Sequence, residues 1–107
     1  MTKRRALLLL LVLAVGVALA CRSKGPHSVT LRWQESKPRP GSPLAGYNVY
    51  RRTEGQTQYI KVAGPVAHPP YEDRLVVSGD VYYYSVTAVD ISGRESRLSG
   101  AVRAAIP

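Results

Sequence analysis

The sequence predicts an all-β protein, an antiparallel sandwich or barrel built from residues 28–107. Three observations carry that expectation. Residues 79–90, GDVYYYSVTAVD, alternate so that Tyr82, Tyr84, Val86 and Ala88 share one face while Tyr83, Ser85, Thr87 and Val89 share the other. Shorter runs of β-branched and aromatic residues recur along the chain, with Gly, Pro and Ser turn signals between them. No stretch after residue 26 has a helical period.

Taken in order, residues 28–34 form the first predicted strand, in which Val29, Leu31 and Trp33 alternate with Thr30 and Arg32. Residues 35–43, ESKPRPGSP, are a loop rich in proline and polar side chains. The second strand covers residues 44–52, with Tyr47 and Val49 on one face and Asn48, Tyr50 and Arg52 on the other. Gly55 marks a hairpin turn within residues 53–57, and residues 58–63 form a short third strand. Pro65, Pro69 and Pro70 then exclude a central strand over residues 64–70. Residues 71–75 form a fourth strand, closed by a turn at Ser78-Gly79. Residues 81–89 are the long strand around which the rest packs. Its Tyr82 and Tyr84 point inward and Tyr83 outward. A turn at Ser92-Gly93 leads to the last strand, residues 98–106, with Val102, Ala104 and Ile106 on one face.

The first twenty residues read as an address. Lys3, Arg4 and Arg5 precede an apolar run of 15 residues, 6–20. That is short of the roughly 20 needed for a membrane-spanning helix and suits a signal peptide over residues 1–20, with small Ala18 and Ala20 at the −3 and −1 positions. Ala18-Leu19-Ala20-Cys21 resembles the lipobox of bacterial lipoproteins. The resemblance implies that Cys21 receives a diacylglyceryl group on sulfur and becomes the first residue of a lipid-anchored protein. Ala18 stands where leucine is commonest in that family. The same residues also satisfy the ordinary signal-peptidase rule, which gives a secreted or periplasmic protein as the alternative. Arg22, in place of an inner-membrane retention aspartate, points by the same resemblance to the outer membrane. Residues 21–27 are a polar tether, broken by Gly25-Pro26. Seven residues reach at most about 25 Å, so the folded part is expected close to the bilayer.

Charge and motif content narrow the function. The chain carries 15 Lys and Arg against 7 Asp and Glu, and from Cys21 onward the balance is +5. Such a balance favours anionic surfaces without naming one, and no clustered basic module of a nucleic-acid-binding kind is present. A single cysteine excludes an internal disulfide and a cysteine zinc cage. His27 and His68 lack metal-pair spacing, Glu72 and Asp73 point to opposite faces of a strand, and no glycine-rich phosphate loop follows a strand. The expectation is a protein with no catalytic activity, no cofactor, no metal and no nucleic-acid partner.

SVTLRW, LAGYNVYRR, YEDRLV, SGDVYYYSVTAVD and ISGRES, in this order, resemble a fibronectin type III domain of the form common in bacterial secreted proteins. The resemblance covers about residues 26–107 and implies an immunoglobulin-like β-sandwich. It assigns Trp33 to the core of strand B and Tyr47 and Val49 to the inward pair of strand C. It also makes Leu75 the leucine of the E–F corner and Tyr82 the tyrosine that closes that corner. With Tyr84 and Val86 these form the expected core. One departure stands out: strand A is missing or vestigial, because residues 21–27 are too few for strand, turn and tether. The edge of strand B is then expected to be covered by residues 22–28 folding back, or by a strand donated by a partner.

What remains for function is surface. By the same resemblance the strands over residues 44–52 and 81–89 are neighbours, so that Asn48, Tyr50, Arg52, Tyr83, Ser85 and Thr87 share their outer face, with Arg51, Arg94, Arg97 and Arg103 as a basic rim. Tyrosines beside arginines are enriched at binding surfaces, although paired tyrosines and threonines also stabilise the wet face of an antiparallel sheet. Tyr50, Tyr83, Arg52, Asn48 and Thr87 are the candidate binding residues. The reading is a membrane-anchored envelope module that binds or scaffolds a protein or a polysaccharide. The alternative is a basic structural lipoprotein holding anionic lipid or glycan by charge, and salt sensitivity separates the two.

Overall fold

The computed structural model describes residues 12–16, 27–37 and 40–107. Seven strands follow in chain order: β1 (Val12–Gly16), β2 (Ser28–Arg32), β3 (Leu44–Thr53), β4 (Ile60–Val66), β5 (Tyr71–Asp73), β6 (Val81–Asp90) and β7 (Val102–Ala105). They form two separate antiparallel sheets with orders β1-β2-β5 and β4-β3-β6-β7. The arrangement is a sandwich, and the barrel that strand periodicity alone left open is not formed. No helix of the described residues is long and apolar enough to cross a membrane.

Alternation places the core. Val29 and Leu31 of β2, Trp33 just beyond it, Tyr47 and Val49 of β3, Tyr82, Tyr84 and Val86 of β6, and Ala104 and Ile106 near the end pack into one buried cluster. Burying a Val or Leu side chain contributes about 1.5–3 kcal/mol, so these few positions supply most of the driving force that joins the sheets. The indole of Trp33 meets the ring of Tyr47 edge-on, with centroids 5.4 Å apart. The core tyrosines keep their hydroxyls paired. Tyr47 Oη accepts the Ser36 N–H at 2.7 Å, and Tyr82 Oη accepts the Val77 N–H at 3.0 Å, which ties the β5–β6 connection to the start of β6.

Leu75 departs from its expected place in the core: it is 80% exposed. The Leu75 N–H donates to Asp73 Oδ1 at 3.0 Å and its carbonyl accepts from Arg51 Nη1 at 3.2 Å. Those bonds fix the backbone of the corner so that the side chain faces water, while Val76 packs against the core.

Other boundaries shift for identifiable reasons. β4 runs through Pro65 to Val66, beyond the predicted end at residue 63, because it is an edge strand that tolerates a residue without an N–H. Gly64 sits where β4 crosses irregular pairing with β3. A Cβ there would lie 2.8 Å from Asn48 Cα and 2.9 Å from the Tyr47 carbonyl oxygen, at φ +135°. β7 begins at Val102 instead of Leu98 because serine hydroxyls stand in for ladder carbonyls. The Val86 N–H donates to Ser99 Oγ at 3.0 Å, and the Ala88 N–H to Ser96 Oγ at 2.9 Å.

The strand A position is filled. β1 pairs along the whole of β2, from Val12 opposite Arg32 to Gly16 opposite Ser28. The expectation of a missing or vestigial strand A is corrected for the full chain: the covering strand comes from the apolar run and not from the tether. Five apolar residues with no proline satisfy an open backbone edge as well as they satisfy an export signal. Cys21, Ala18, Ala20 and the tether up to Pro26 lie outside the described residues.

Candidate functional site

The outer face of the four-stranded sheet presents a row set by register. Arg52 of β3 lies opposite Tyr83 of β6, and Tyr83 lies opposite Arg103 of β7. On the other side of Arg52, the pairing of Arg51 with Ile60 continues to Tyr59 at the approach to β4. The result is an alternating band, Tyr59, Arg52, Tyr83, Arg103. The Arg52 guanidinium stacks 4.4 Å from the Tyr83 ring centroid and 5.5 Å from that of Tyr59. Its Nη1 donates to the Gln56 carbonyl at 2.9 Å, which anchors the guanidinium. Tyr83 is half-buried, and its hydroxyl points to Glu54 Oε2 at 3.4 Å. Arg103 is exposed and has no carboxylate partner among the described residues.

Two of the candidate binding residues are not available at the surface. Asn48 and Thr87 are 5% and 3% exposed, because the segment after β6 swings Glu95 across them. Glu95 Oε2 accepts from Asn48 Nδ2 at 3.0 Å, from Thr87 Oγ1 at 2.7 Å and from the Tyr50 hydroxyl. The Tyr50 bond, with smaller help from Asn48 and Thr87, holds the Glu95 carboxyl below the usual glutamate range against the opposing effect of burial. The same bond, followed by burial, raises the Tyr50 phenol above its ordinary value. Lys61, opposite Tyr50 on β4, adds a positive charge nearby. This half of the face is a closed polar knot, and the open half is the tyrosine–arginine band.

The predicted rim also divides. Arg51 has inward parity: its guanidinium donates to Asp73 Oδ2 at 2.8 Å and lies 5.1 Å from the Tyr82 ring centroid. Asp73 is almost wholly buried and also accepts the Tyr84 hydroxyl at 2.6 Å. Burial and that carboxylate push the Tyr84 phenol far above the ordinary tyrosine value. Arg94 turns to Asp90, with Nε 3.2 Å from Oδ2, at the loop end of the sheet. There the Asp90 carboxyl is held well below the usual range by hydrogen bonds from Ser92, the Arg94 N–H and Ser42. Arg97 is exposed. Tyr59 and Glu95 were not among the sequence candidates. Hairpin parity places Tyr59 beside Arg52, whereas no periodicity marks Glu95, which acts from a loop.

His68 lies 2.9 Å from Glu35 on an exposed loop, and no three His, Cys, Asp or Glu side chains gather to hold a metal among the described residues. What the band offers is planar area, two guanidinium groups and phenol hydroxyls, the chemistry of recognition.

No family model matches the chain. An amylopullulanase of Thermoanaerobacterium saccharolyticum is 35% identical over 77 residues, which are 72% of this chain and 6% of that protein. Exoglucanase B of Cellulomonas fimi is 34% identical over 89 residues, 83% of this chain and 8% of that protein. The chain thus spans only a small part of these relatives' length. Among solved structures, an Fn3-like protein from Clostridium thermocellum superposes with a TM-score of 0.61 at 31% identity, covering 75% of this chain and 77% of that one.

Proposed function

Because the chain belongs to the fibronectin type III-like family, we propose that it is a non-catalytic binding module of the bacterial cell envelope. On this reading it is held by lipid on Cys21, and the outer face of its larger sheet engages a polysaccharide. The observation that carries the reading is the half-open band Tyr59, Arg52, Tyr83, Arg103. Flat phenol and guanidinium groups suit the C–H faces of sugar rings, and the free hydrogen-bond capacity of Arg103 suits ring hydroxyls or acidic substituents. The relatives support a polysaccharide over a protein partner, since an amylopullulanase and an exoglucanase each contain a stretch similar to this chain.

The test is co-sedimentation of the detergent-solubilised protein with insoluble amylose, cellulose and cross-linked polygalacturonate at low and moderate salt. Retention on one polymer that survives salt and falls at least about tenfold in Tyr83→Ala and Arg52→Ala supports the reading. Retention that disappears on every anionic polymer at moderate salt supports electrostatic association in its place. Variants that bind like the parent remove the band from the site. The anchor is tested by the intact mass of the membrane-derived protein. Residues 21–107 plus acyl chains are expected, and a bare 21–107 in the soluble fraction makes the module a secreted one.

A further inference from the structure

We propose that the outer edge of β2 is a strand-acceptor site. It is filled by β1 in the full chain and, once residues 1–20 are removed, by an extended apolar segment of a partner protein running antiparallel to β2. The proposal shares with the reading above the cleavage before Cys21 and, where the tether is concerned, the lipid on that residue.

The smaller sheet has the order β1-β2-β5, so β2 has one neighbour on each side. β1 pairs with all five residues of β2, whereas β5 pairs with three, Val29 to Leu31. Removal of β1 leaves the N–H and C=O groups of alternate β2 residues without partners along a complete edge. Beneath that edge lie Val29 and Leu31, both 0% exposed with β1 in place, and Trp33 just beyond them. Losing the strand would therefore leave an unpaired backbone edge directly beside core positions. The covering strand belongs to the same apolar run that reads as an export signal, upstream of Ala18, Ala20 and Cys21.

The residual tether is a poor replacement. Residues 21–27 include Pro26, which has no N–H to give, and Cys21 is committed to the bilayer if it carries lipid. The fold itself defines the chemistry of the occupant: about five uncharged residues free of proline, like the VLAVG of β1, bonded through the backbone in antiparallel register.

Hydrogen exchange read over residues 28–33 tests this. It compares the full chain made by cell-free synthesis with the processed protein recovered from cells. The probe is a synthetic peptide of residues 11–17 with terminal lysines for solubility, and the control peptide carries proline in place of Ala14. Alternate β2 amides, Thr30 and Arg32 or their neighbours, are expected to exchange at least roughly tenfold faster in the processed protein. The peptide should restore protection at one per protein, and the proline peptide should not.

Equal protection in the processed protein without peptide means the tether covers the edge and overturns the proposal. Protection that rises with protein concentration assigns the edge to a second copy and overturns it too. If the processed protein is unfolded, or cleavage does not occur before Cys21, the full-chain variant Ala14→Pro serves instead. Added peptide must then slow β2 exchange in trans, and its failure to do so ends the proposal while leaving the polysaccharide assay untouched.

Discussion

Replacing Asp73 by alanine probes an ion pair that stitches the two sheets together. Asp73 on β5 accepts Arg51 Nη1 from β3 at 2.8 Å, the Tyr84 hydroxyl from β6 at 2.6 Å and the Leu75 N–H at 3.0 Å. Its side chain is 2% exposed and that of Arg51 21%. Removing one partner of a buried pair costs about 3–5 kcal/mol, because the other charge stays behind. Water reaches the rim of Arg51, so the lower half of that range is expected. A domain of this size has roughly 4–12 kcal/mol in total, so the loss is a large fraction of its stability. Tyr84→Phe removes a single bond to a charged acceptor and should cost less, about 1.5–3 kcal/mol. Urea denaturation followed by far-UV circular dichroism measures both, and with a slope of about 1–3 kcal/mol/M the Asp73→Ala midpoint should fall by about 1 M or more. The double variant Asp73→Leu with Arg51→Met should recover part of the loss, since no stranded charge remains. An Asp73→Ala loss below about 1 kcal/mol, or a double variant no better than the sum of its singles, would refute the reasoning.

Further outcomes follow from the same geometry. Gly64→Ala should cost about 2 kcal/mol or more in a urea titration, since its Cβ would press on the Asn48 and Tyr47 backbone at a φ that side chains rarely adopt. Leu75→Ser should change stability by less than about 0.5 kcal/mol, whereas Tyr82→Ala should cost about 3–5 kcal/mol. The Glu95 carboxyl has a folded value below its unfolded one, so its contribution is fully present above the ordinary glutamate range and is lost as pH falls through the lowered value. Carbon-detected NMR titration should show Glu95 returning toward the ordinary range in Tyr50→Phe. The Tyr50 phenol shifts the opposite way, so its contribution is present below the ordinary tyrosine value and is lost as pH rises through the raised one.

Much of this architecture is written in alternation. Period two places Tyr82, Tyr84 and Val86 on one side of β6 and Tyr83 on the other, and the same rule carries Arg51 inward beside Tyr47 and Val49. Charge alone puts Arg51 at the rim while parity puts it inward, and the partner that reconciles them, Asp73, lies in the other sheet. Leu75 escaped because its orientation depends on two backbone hydrogen bonds, one of them to the distant Arg51. Glu95 escaped for a similar reason: a loop residue that reaches back over a sheet leaves no period. β1 was hidden differently. An apolar run free of proline meets the requirements of an export signal and of a strand at once, so composition could not separate the two.

Trp33 is the sole tryptophan of the chain. It sits one residue past the end of β2, packed edge-on against Tyr47. The molecule therefore has a native optical reporter at the seam between its sheets. Emission excited selectively from that indole should be blue-shifted while the seam is closed. It should move to the red when the smaller sheet loosens, before the distant β6–β7 ladder is lost. Light absorbed by the tyrosines should reach the indole by short-range transfer through Tyr47, so the ratio of tyrosine to tryptophan emission follows the integrity of the sandwich without any added label.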